Sequence, residues 1–139
     1  ALKTTPYGIA YIGISWKKPV EEAHLGLAML ENRANQFVLP TVANAKVAAG
    51  EMVAKTPADE RISLVYAPGA KSYPIINYEY AIVSKTQPNA QVAAELRKFL
   101  NWSIDPQGGN APHFIQAVNF VPLPDSAVAL SRKQIAEIQ

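Results

Sequence analysis

The chain of 139 residues contains no cysteine. That absence excludes a disulfide-stapled scaffold, a zinc site built from thiolates and a cysteine nucleophile. Charged residues are also scarce, at 17% of the sequence, and the basic ones are scattered, whereas a nucleic-acid-binding protein usually presents a clustered basic face. No apolar run approaches the roughly 20 residues that a membrane-spanning helix needs. We therefore expect neither a nucleic-acid partner nor a membrane span.

The sequence is equally poor in catalytic and metal-binding motifs. The G-x-S-x-G turn that exposes a nucleophilic serine is absent, and its nearest approach, residues 13–17, lacks the second glycine. Ser15 and Lys18 fit the pattern S-x-x-K, but the partner motifs of that enzyme class are missing. His24 and His113 are far apart, and neither has another ligand at metal-binding spacing. These features favour a protein that is not an enzyme and holds no metal or cofactor.

Hydrophobic residues are plentiful, at 49% of the chain, which is enough for a buried core. Their spacing predicts helices over residues 41–55, over 89–104 and from 125 to the end, because apolar side chains recur there at helical intervals. Two segments rich in β-branched and aromatic residues, 7–14 and 74–83, predict buried strands instead. Strands separated by helices indicate an α/β or α+β fold.

A β-hairpin is predicted across residues 27–39, because turn-forming residues separate two short apolar stretches there. Pro40 should end the second strand of this hairpin, since proline donates no ladder hydrogen bond. Thr41 should cap the helix that follows, and Asp125 or Ser126 should cap the last helix in the same way.

Five linear patterns follow one another along the chain. They include P-x-G-[IA]-[GA]-Y, L-x-N-x-x-G-x-F-v-x-P-t and L-x-x-F-L-x-W-a, and they cover residues 6–12, 30–41, 73–83, 96–103 and 120–124. In this order they resemble the periplasmic phosphate-binding proteins of the phosphate-specific ABC transport system. Asn35 stands where glycine is usual, and asparagine tolerates the left-handed conformation that such a turn needs.

The resemblance implies the C-terminal part of a type II periplasmic-binding-protein fold, an α/β fold with a mixed β-sheet and flanking helices. Two lobes in that fold close on a ligand like a hinged trap, so this chain would hold an incomplete two-lobe architecture. Residues 1–75 would form part of the second lobe and its connection. Residues 76–139 would return into the first lobe with the C-terminal helices.

The implied function is capture of inorganic phosphate in the bacterial periplasm and its delivery to an ABC permease. In the family, backbone amides at helix N-termini, hydroxyls and an arginine hold the anion, and those motifs lie upstream of the matched segment. No residue of this chain is therefore assigned as a phosphate ligand. Tyr7, Asn77 and Tyr78 are expected to line the cleft or hinge.

The resemblance also implies a partner for the apolar surface that such a piece leaves uncovered. That partner would be the missing N-terminal part of the same receptor or another copy of the chain in a homo-oligomer. Two alternative functions remain open at this point. One is a receptor for another oxyanion, such as sulfate or molybdate, and the other is a truncated, non-binding module for interaction or assembly. A phosphatase on such a scaffold would need a nucleophile or metal cluster, which the sequence does not display.

Overall fold

The computed structural model describes residues 2–139. The described chain combines helices with one small antiparallel sheet, so the coarse prediction of a mixed α/β fold is confirmed. The helices are α1 (Lys17–Glu22), α2 (Val42–Val53), α3 (Ala90–Ile104), α4 (Pro112–Ala117) and α5 (Asp125–Ala136). Strands β1 (Leu30–Glu31) and β2 (Phe37–Val38) pair with Leu30 opposite Val38. Among these residues, no helix has the length and apolar character needed to cross a bilayer.

The predicted hairpin and the predicted cap of α2 are present, and α3 is capped as well. The Thr41 side chain accepts a hydrogen bond from the Asn44 amide at 3.1 Å, and the Asn89 side chain accepts one from the Val92 amide at 2.9 Å. Each bond satisfies an amide that has no partner within its own helix. Asn35 adopts φ 57°, so it takes the left-handed turn position as predicted.

The prediction for the start of α5 was wrong. Pro124 occupies the N-cap position and no side chain caps the helix. Asp125 lies in the first turn instead, where a carboxylate interacts favourably with the positive end of the helix dipole. The ring of Pro124 presets the φ angle at the start of the helix. Because proline carries no hydroxyl or carboxylate, it cannot cap α5 with its side chain.

The main apolar core lies between α3 and α5. Ala93 and Leu100 of α3 pack against Ile135 of α5 and Ile138 just beyond its end. Because these side chains recur at helical spacing on both elements, one face of each helix is removed from water. Two other apolar residues of α3 do not join this core, because Val92 and Phe99 are exposed.

The loop after α3 folds back tightly onto the end of that helix. The Gly109 amide donates to the Trp102 carbonyl at 2.8 Å, and a Cβ atom at Gly109 would lie 2.8 Å from the Ser103 Cα. Only glycine fits such a close backbone approach. Next to it, the buried Asn110 side chain accepts from the Leu123 amide at 2.8 Å and donates to the Leu123 carbonyl at 3.2 Å. The loop thereby fixes the segment that leads into α5.

The two predicted strands are absent, which corrects the sequence prediction. Residues 7–14 form no strand, and Tyr7, Ile9 and Tyr11 are fully exposed rather than buried. Residues 74–83 also form no strand, and Ile82 is 94% exposed at the end predicted to be buried on both faces. A strand exists only where a neighbouring edge accepts its backbone hydrogen bonds. The part of the chain described here presents no such edge to either segment.

Candidate functional site

An open groove of about 2180 Å³ crosses the described part of the chain. Both segments predicted as strands line it, and α2, α3 and α5 contribute apolar side chains such as Ala45, Leu100 and Ile135. Drug-sized ligands usually occupy pockets of about 300–1,000 Å³. The groove is therefore too large and too open to be a pocket for one small anion by itself.

The three residues predicted to line the cleft are placed differently. Asn77 and Tyr78 line the groove, whereas Tyr7 is fully exposed outside it, with φ 60°. The Asn77 side-chain oxygen accepts a hydrogen bond from the Leu64 amide at 3.3 Å. The Tyr78 ring meets Tyr80 edge-on, with centroids 6.2 Å apart. Asn77 and Tyr78 thus stand together on one wall, and Tyr7 does not join them.

The Tyr78 hydroxyl is buried and has no hydrogen-bond partner within residues 2–139. A buried hydroxyl without a partner costs about 1–3 kcal/mol in proteins. The adjacent Tyr80 hydroxyl, by contrast, donates towards the Glu60 and Ile62 carbonyls, at 2.8 and 3.1 Å. The two neighbouring tyrosines therefore differ in whether their polar ends are satisfied.

The basic residues that line the groove are already paired with acids. Arg61 contacts the Asp59 carboxylate at 2.7 Å, and the hydrogen bond from Arg61 lowers the pKa of Asp59 below its usual value. The other two pairs are Lys17 with Glu21 at 3.3 Å and Lys85 with Glu137 at 2.8 Å. Lys85 lowers the Glu137 pKa in the same way. Among the described lining residues, no lysine or arginine lacks an acidic partner.

A buried asparagine organises the region beside the groove, and sequence reasoning assigned it no such role. Asn32 is 0% exposed, and its side-chain oxygen accepts from the Ala34 and Gln36 amides at 2.9 and 3.1 Å. Its side-chain nitrogen donates to the carbonyls of Gly69, Ala70 and Ser72, at 3.3, 2.9 and 3.2 Å. One amide side chain therefore joins the β1–β2 turn to a loop almost 40 residues away.

That distant loop has its own fixed geometry. Ser72 is fully buried, and its hydroxyl donates to the Pro68 carbonyl. Gly69 adopts φ 110°, and a Cβ atom there would lie 2.7 Å from the Ser72 hydroxyl oxygen. The next residue, Tyr73, donates its amide to the Asn44 carbonyl of α2 at 3.2 Å. Burial raises the pKa of the Tyr73 phenol, and Tyr73 is the point where this loop reaches the groove wall.

Glu60, which also lines the groove, is linked to α5. Its carboxylate oxygens accept from the Ser131 hydroxyl, at 2.8 and 3.0 Å, and one of them accepts from the Gln134 side chain at 2.8 Å. Glu60 itself has φ 56°, a conformation that costs about 1–2 kcal/mol in a residue with a β-carbon. Two donors to charged oxygens, the Ser131 hydroxyl and the Gln134 side-chain amide, offset that cost.

The residues considered for metal binding do not come together. Among residues 2–139, no group of three histidine or acidic side chains is arranged to hold a metal ion. His113 lies against Phe114, with ring centroids 4.1 Å apart, and His24 occupies an exposed turn with φ 53°.

Two curated proteins match nearly the whole chain. It is 26% identical over 148 aligned residues to the phosphate-binding protein PstS of Methanocaldococcus jannaschii, covering 99% of this chain. It is 25% identical over 128 residues to the phosphate-binding protein PstS of Haemophilus influenzae, covering 92% of this chain. The resemblance to phosphate-binding proteins is confirmed. In each case, the match spans only 36% of the relative's own length. No protein-family model matches the chain.

Proposed function

We propose that this chain is the C-terminal segment of a receptor that captures inorganic phosphate outside the cytoplasm and delivers it to an ABC importer. The observation that carries the proposal is the match of nearly the whole chain to two proteins named as phosphate-binding. Neither relative is named as an enzyme, which supports a binding rather than a catalytic role. In this proposal, the complete receptor has the two-lobed type II periplasmic-binding-protein fold.

We also propose that residues 1–75 belong mainly to one lobe and residues 76–139 to the other. The hydrogen bonds from Asn32 to the loop at 69–72, and from Tyr73 to α2, support the first grouping. The shared core of α3 and α5 supports the second. In this arrangement, Glu60 reaches from the first group to α5 of the second.

The donors that hold phosphate are proposed to lie outside these 139 residues. The three basic side chains in the groove support this, because Lys17, Arg61 and Lys85 are each paired with a carboxylate. An anion would have to displace an acidic partner from each of them, and a like-charge approach to that partner is unfavourable. Asn77 and Tyr78 remain proposed as cleft-lining residues without a direct role as anion ligands.

The test is calorimetric titration with phosphate of a chimera in which this chain replaces the matched part of the Methanocaldococcus protein. Micromolar or tighter binding is expected for the chimera, and none for this chain alone. Binding by the chain alone would contradict the proposed upstream donors. Sulfate and molybdate are titrated in parallel, because preference for either would indicate a receptor for another oxyanion.

A matched pair of tyrosine variants tests the cleft within the same chimera. Tyr78→Phe removes a buried groove hydroxyl, whereas Tyr66→Phe removes an exposed hydroxyl outside the groove. We expect phosphate affinity to fall several-fold in the first variant, because a buried polar group near a closing cleft is expected to gain a partner on closure. The second variant should bind like the parent. Equal affinities in both variants would remove Tyr78 from the cleft.

A second candidate function is a non-binding module for interaction or assembly. The observation in its favour is the exposed apolar lining of the groove, including Ile9 and Ile82. This candidate predicts a stable complex in solution and no anion binding in any chimera. A chimera that binds phosphate as a monomer would exclude it.

A further inference from the structure

Glu60 joins the short loop at residues 57–62 to the last helix through its side chain. The Glu60 carboxylate accepts hydrogen bonds from the Ser131 hydroxyl, at 2.8 and 3.0 Å, and from the Gln134 side chain at 2.8 Å. Both donors belong to α5 and lie more than 70 residues further along the chain. We call this set of hydrogen bonds the Glu60 clasp. All three residues line the groove, so the clasp ties two parts of its wall together.

The backbone of Glu60 is anchored independently of the clasp. Its amide donates to the Pro57 carbonyl at 2.9 Å, and its carbonyl accepts from the Tyr80 hydroxyl at 2.8 Å. The side chain, by contrast, reaches a helix on which only α3 packs extensively among the helices and strands of residues 2–139. The clasp can therefore break while the backbone of Glu60 stays in place.

The donors of the clasp are neutral, and no salt bridge within the described chain reinforces it. Arg61, the next residue, pairs with Asp59 at 2.7 Å instead. Glu60 and Ser131 are half-buried, and Gln134 is exposed. Water can take the place of neutral donors at such a carboxylate, so release of the clasp leaves no buried unpaired charge. The clasp is thus a contact that can form and break reversibly.

The backbone conformation of Glu60 opposes the clasp. Its φ angle of 56° lies in the left-handed region, which is unfavourable for a residue with a β-carbon. A backbone strained in this way persists where surrounding contacts hold it, and such residues concentrate at switch regions. The hydrogen bonds to α5 maintain the strain, and release of the clasp would let the backbone relax. One residue therefore carries the two opposing contributions that a two-state element requires.

We propose that the Glu60 clasp is a reversible latch between the two lobes, which holds the groove in its open arrangement and releases when the receptor closes on phosphate. This inference rests on the proposed function, from which it takes the division near residue 75 and the closure of the lobes. A contact made in one arrangement alone shifts the equilibrium towards that arrangement. The clasp therefore lowers the fraction of receptor that is ready to close, and with it the apparent phosphate affinity. Glu60 is a positioning residue in this proposal and does not contact the anion.

Phosphate titration of two α5 variants in the Methanocaldococcus chimera tests the latch. Ser131→Ala removes one donor of the clasp and introduces a residue that favours the helix. Phosphate affinity should rise by about fivefold, at the lower end of the usual coupling between two sites. Ser126→Ala is the control and should bind like the parent, because Ser126 is exposed in the first turn of the same helix and lies outside the groove. Unchanged or weaker binding by the Ser131→Ala variant would overturn the latch.

The separation of two spin labels gives a second readout, which a merely structural hydrogen bond would not change. This chain has no cysteine, so Ala58→Cys and Lys133→Cys provide its only labelling sites. Both residues are exposed, and they flank the clasp in the loop and on α5. In the chimera, electron paramagnetic resonance should show the labels moving apart when phosphate is added. Ser131→Ala should lengthen the separation before phosphate is added. A separation that neither phosphate nor this variant changes would overturn the proposal.

The outcomes also separate the latch from the proposed function. Phosphate binding with equal affinity in the parent chimera and both variants would support the receptor and overturn the latch. Absence of phosphate binding in this chimera and in the corresponding Haemophilus chimera would contradict the receptor, and the latch with it. Tighter binding by the Ser131→Ala variant, together with a label separation that depends on phosphate, would support both.

Discussion

The loop at residues 68–74 and the segment at 75–83 are neighbours in sequence, but their backbones are satisfied to very different degrees. The loop receives three hydrogen bonds from the Asn32 side chain and is anchored to α2 through the Tyr73 amide. The following segment makes no backbone hydrogen bond among the residues described. The loop has the proline and glycine content of a turn, whereas the segment at 75–83 is mostly apolar and aromatic, so the stretch with the composition of a strand is the one whose backbone lacks a partner among the described residues.

The largest effect should come from removing the partner of the ordered loop. Asn32→Asp keeps the shape of the side chain but replaces its NH₂ group, which donates to three carbonyl oxygens, with a carboxylate oxygen. The variant therefore places a buried negative charge against those three oxygens. We expect unfolding free energy to fall by about 4 kcal/mol, measured by urea denaturation at neutral pH. Burial should raise the pKa of the new carboxyl in the folded state, so the deficit should shrink as the pH falls and level off below about 3.9, where the carboxyl is protonated in both states.

Asn35→Asp is the matched control for that variant, because Asn35 is an exposed residue of the same turn. Aspartate tolerates its left-handed conformation, so the urea midpoint should stay close to that of the parent. If the two variants lose stability equally, the Asn32 side chain does not hold the loop.

A core residue and a groove residue of similar size should differ almost as sharply. Leu100→Ala removes a buried side chain from the core between α3 and α5, which should cost about 3 kcal/mol. Ile82→Ala removes an almost fully exposed side chain, and its effect in this chain alone should stay within about 0.5 kcal/mol. Urea denaturation of both variants gives the comparison. A large loss for Ile82→Ala would mean that the 75–83 segment packs onto the protein in solution.

The smallest effect concerns Lys85, which follows the 75–83 segment by two residues and pairs with Glu137. The pKa of Glu137 is lowered in the folded state from its ordinary value of 4.5. The pair therefore contributes its stability fully above pH 4.5, and this contribution is lost as the pH falls through the folded-state pKa. Glu137→Gln should reduce the fall of the urea midpoint between neutral and acid pH. An unchanged pH dependence in this variant would show that the pair contributes nothing measurable, as exposed pairs often do.

The parts of the fold that were predicted correctly are those governed by short-range rules. The cap at Thr41 could be predicted because a cap and the amide it satisfies lie three residues apart. The left-handed turn at Asn35 could be predicted because asparagine tolerates the left-handed conformation and is common in turns. At the candidate site, Asn77 and Tyr78 line the groove and Tyr7 lies outside it. That these three residues line the cleft or hinge of the receptor stays a prediction.

Asn32 shows why the rest was missed. The local half of its bonding, to Ala34 and Gln36, follows the familiar turn chemistry of asparagine. The other half reaches carbonyls 37–40 residues away, and no spacing in the sequence records that contact. The same applies to Glu60, whose partners on α5 lie more than 70 residues further along the chain.

The sequence by itself determined the three long helices, the capped start of α2, the hairpin and the resemblance to phosphate-binding proteins. These features depend on side-chain periodicity and on hydrogen bonds between near neighbours. The tertiary structure alone decided which side chains join distant loops and whether residues 7–14 and 74–83 become strands. A helix satisfies its backbone internally, whereas a strand takes its hydrogen bonds from another segment, so strand-like composition becomes a strand only where a partner edge is in place.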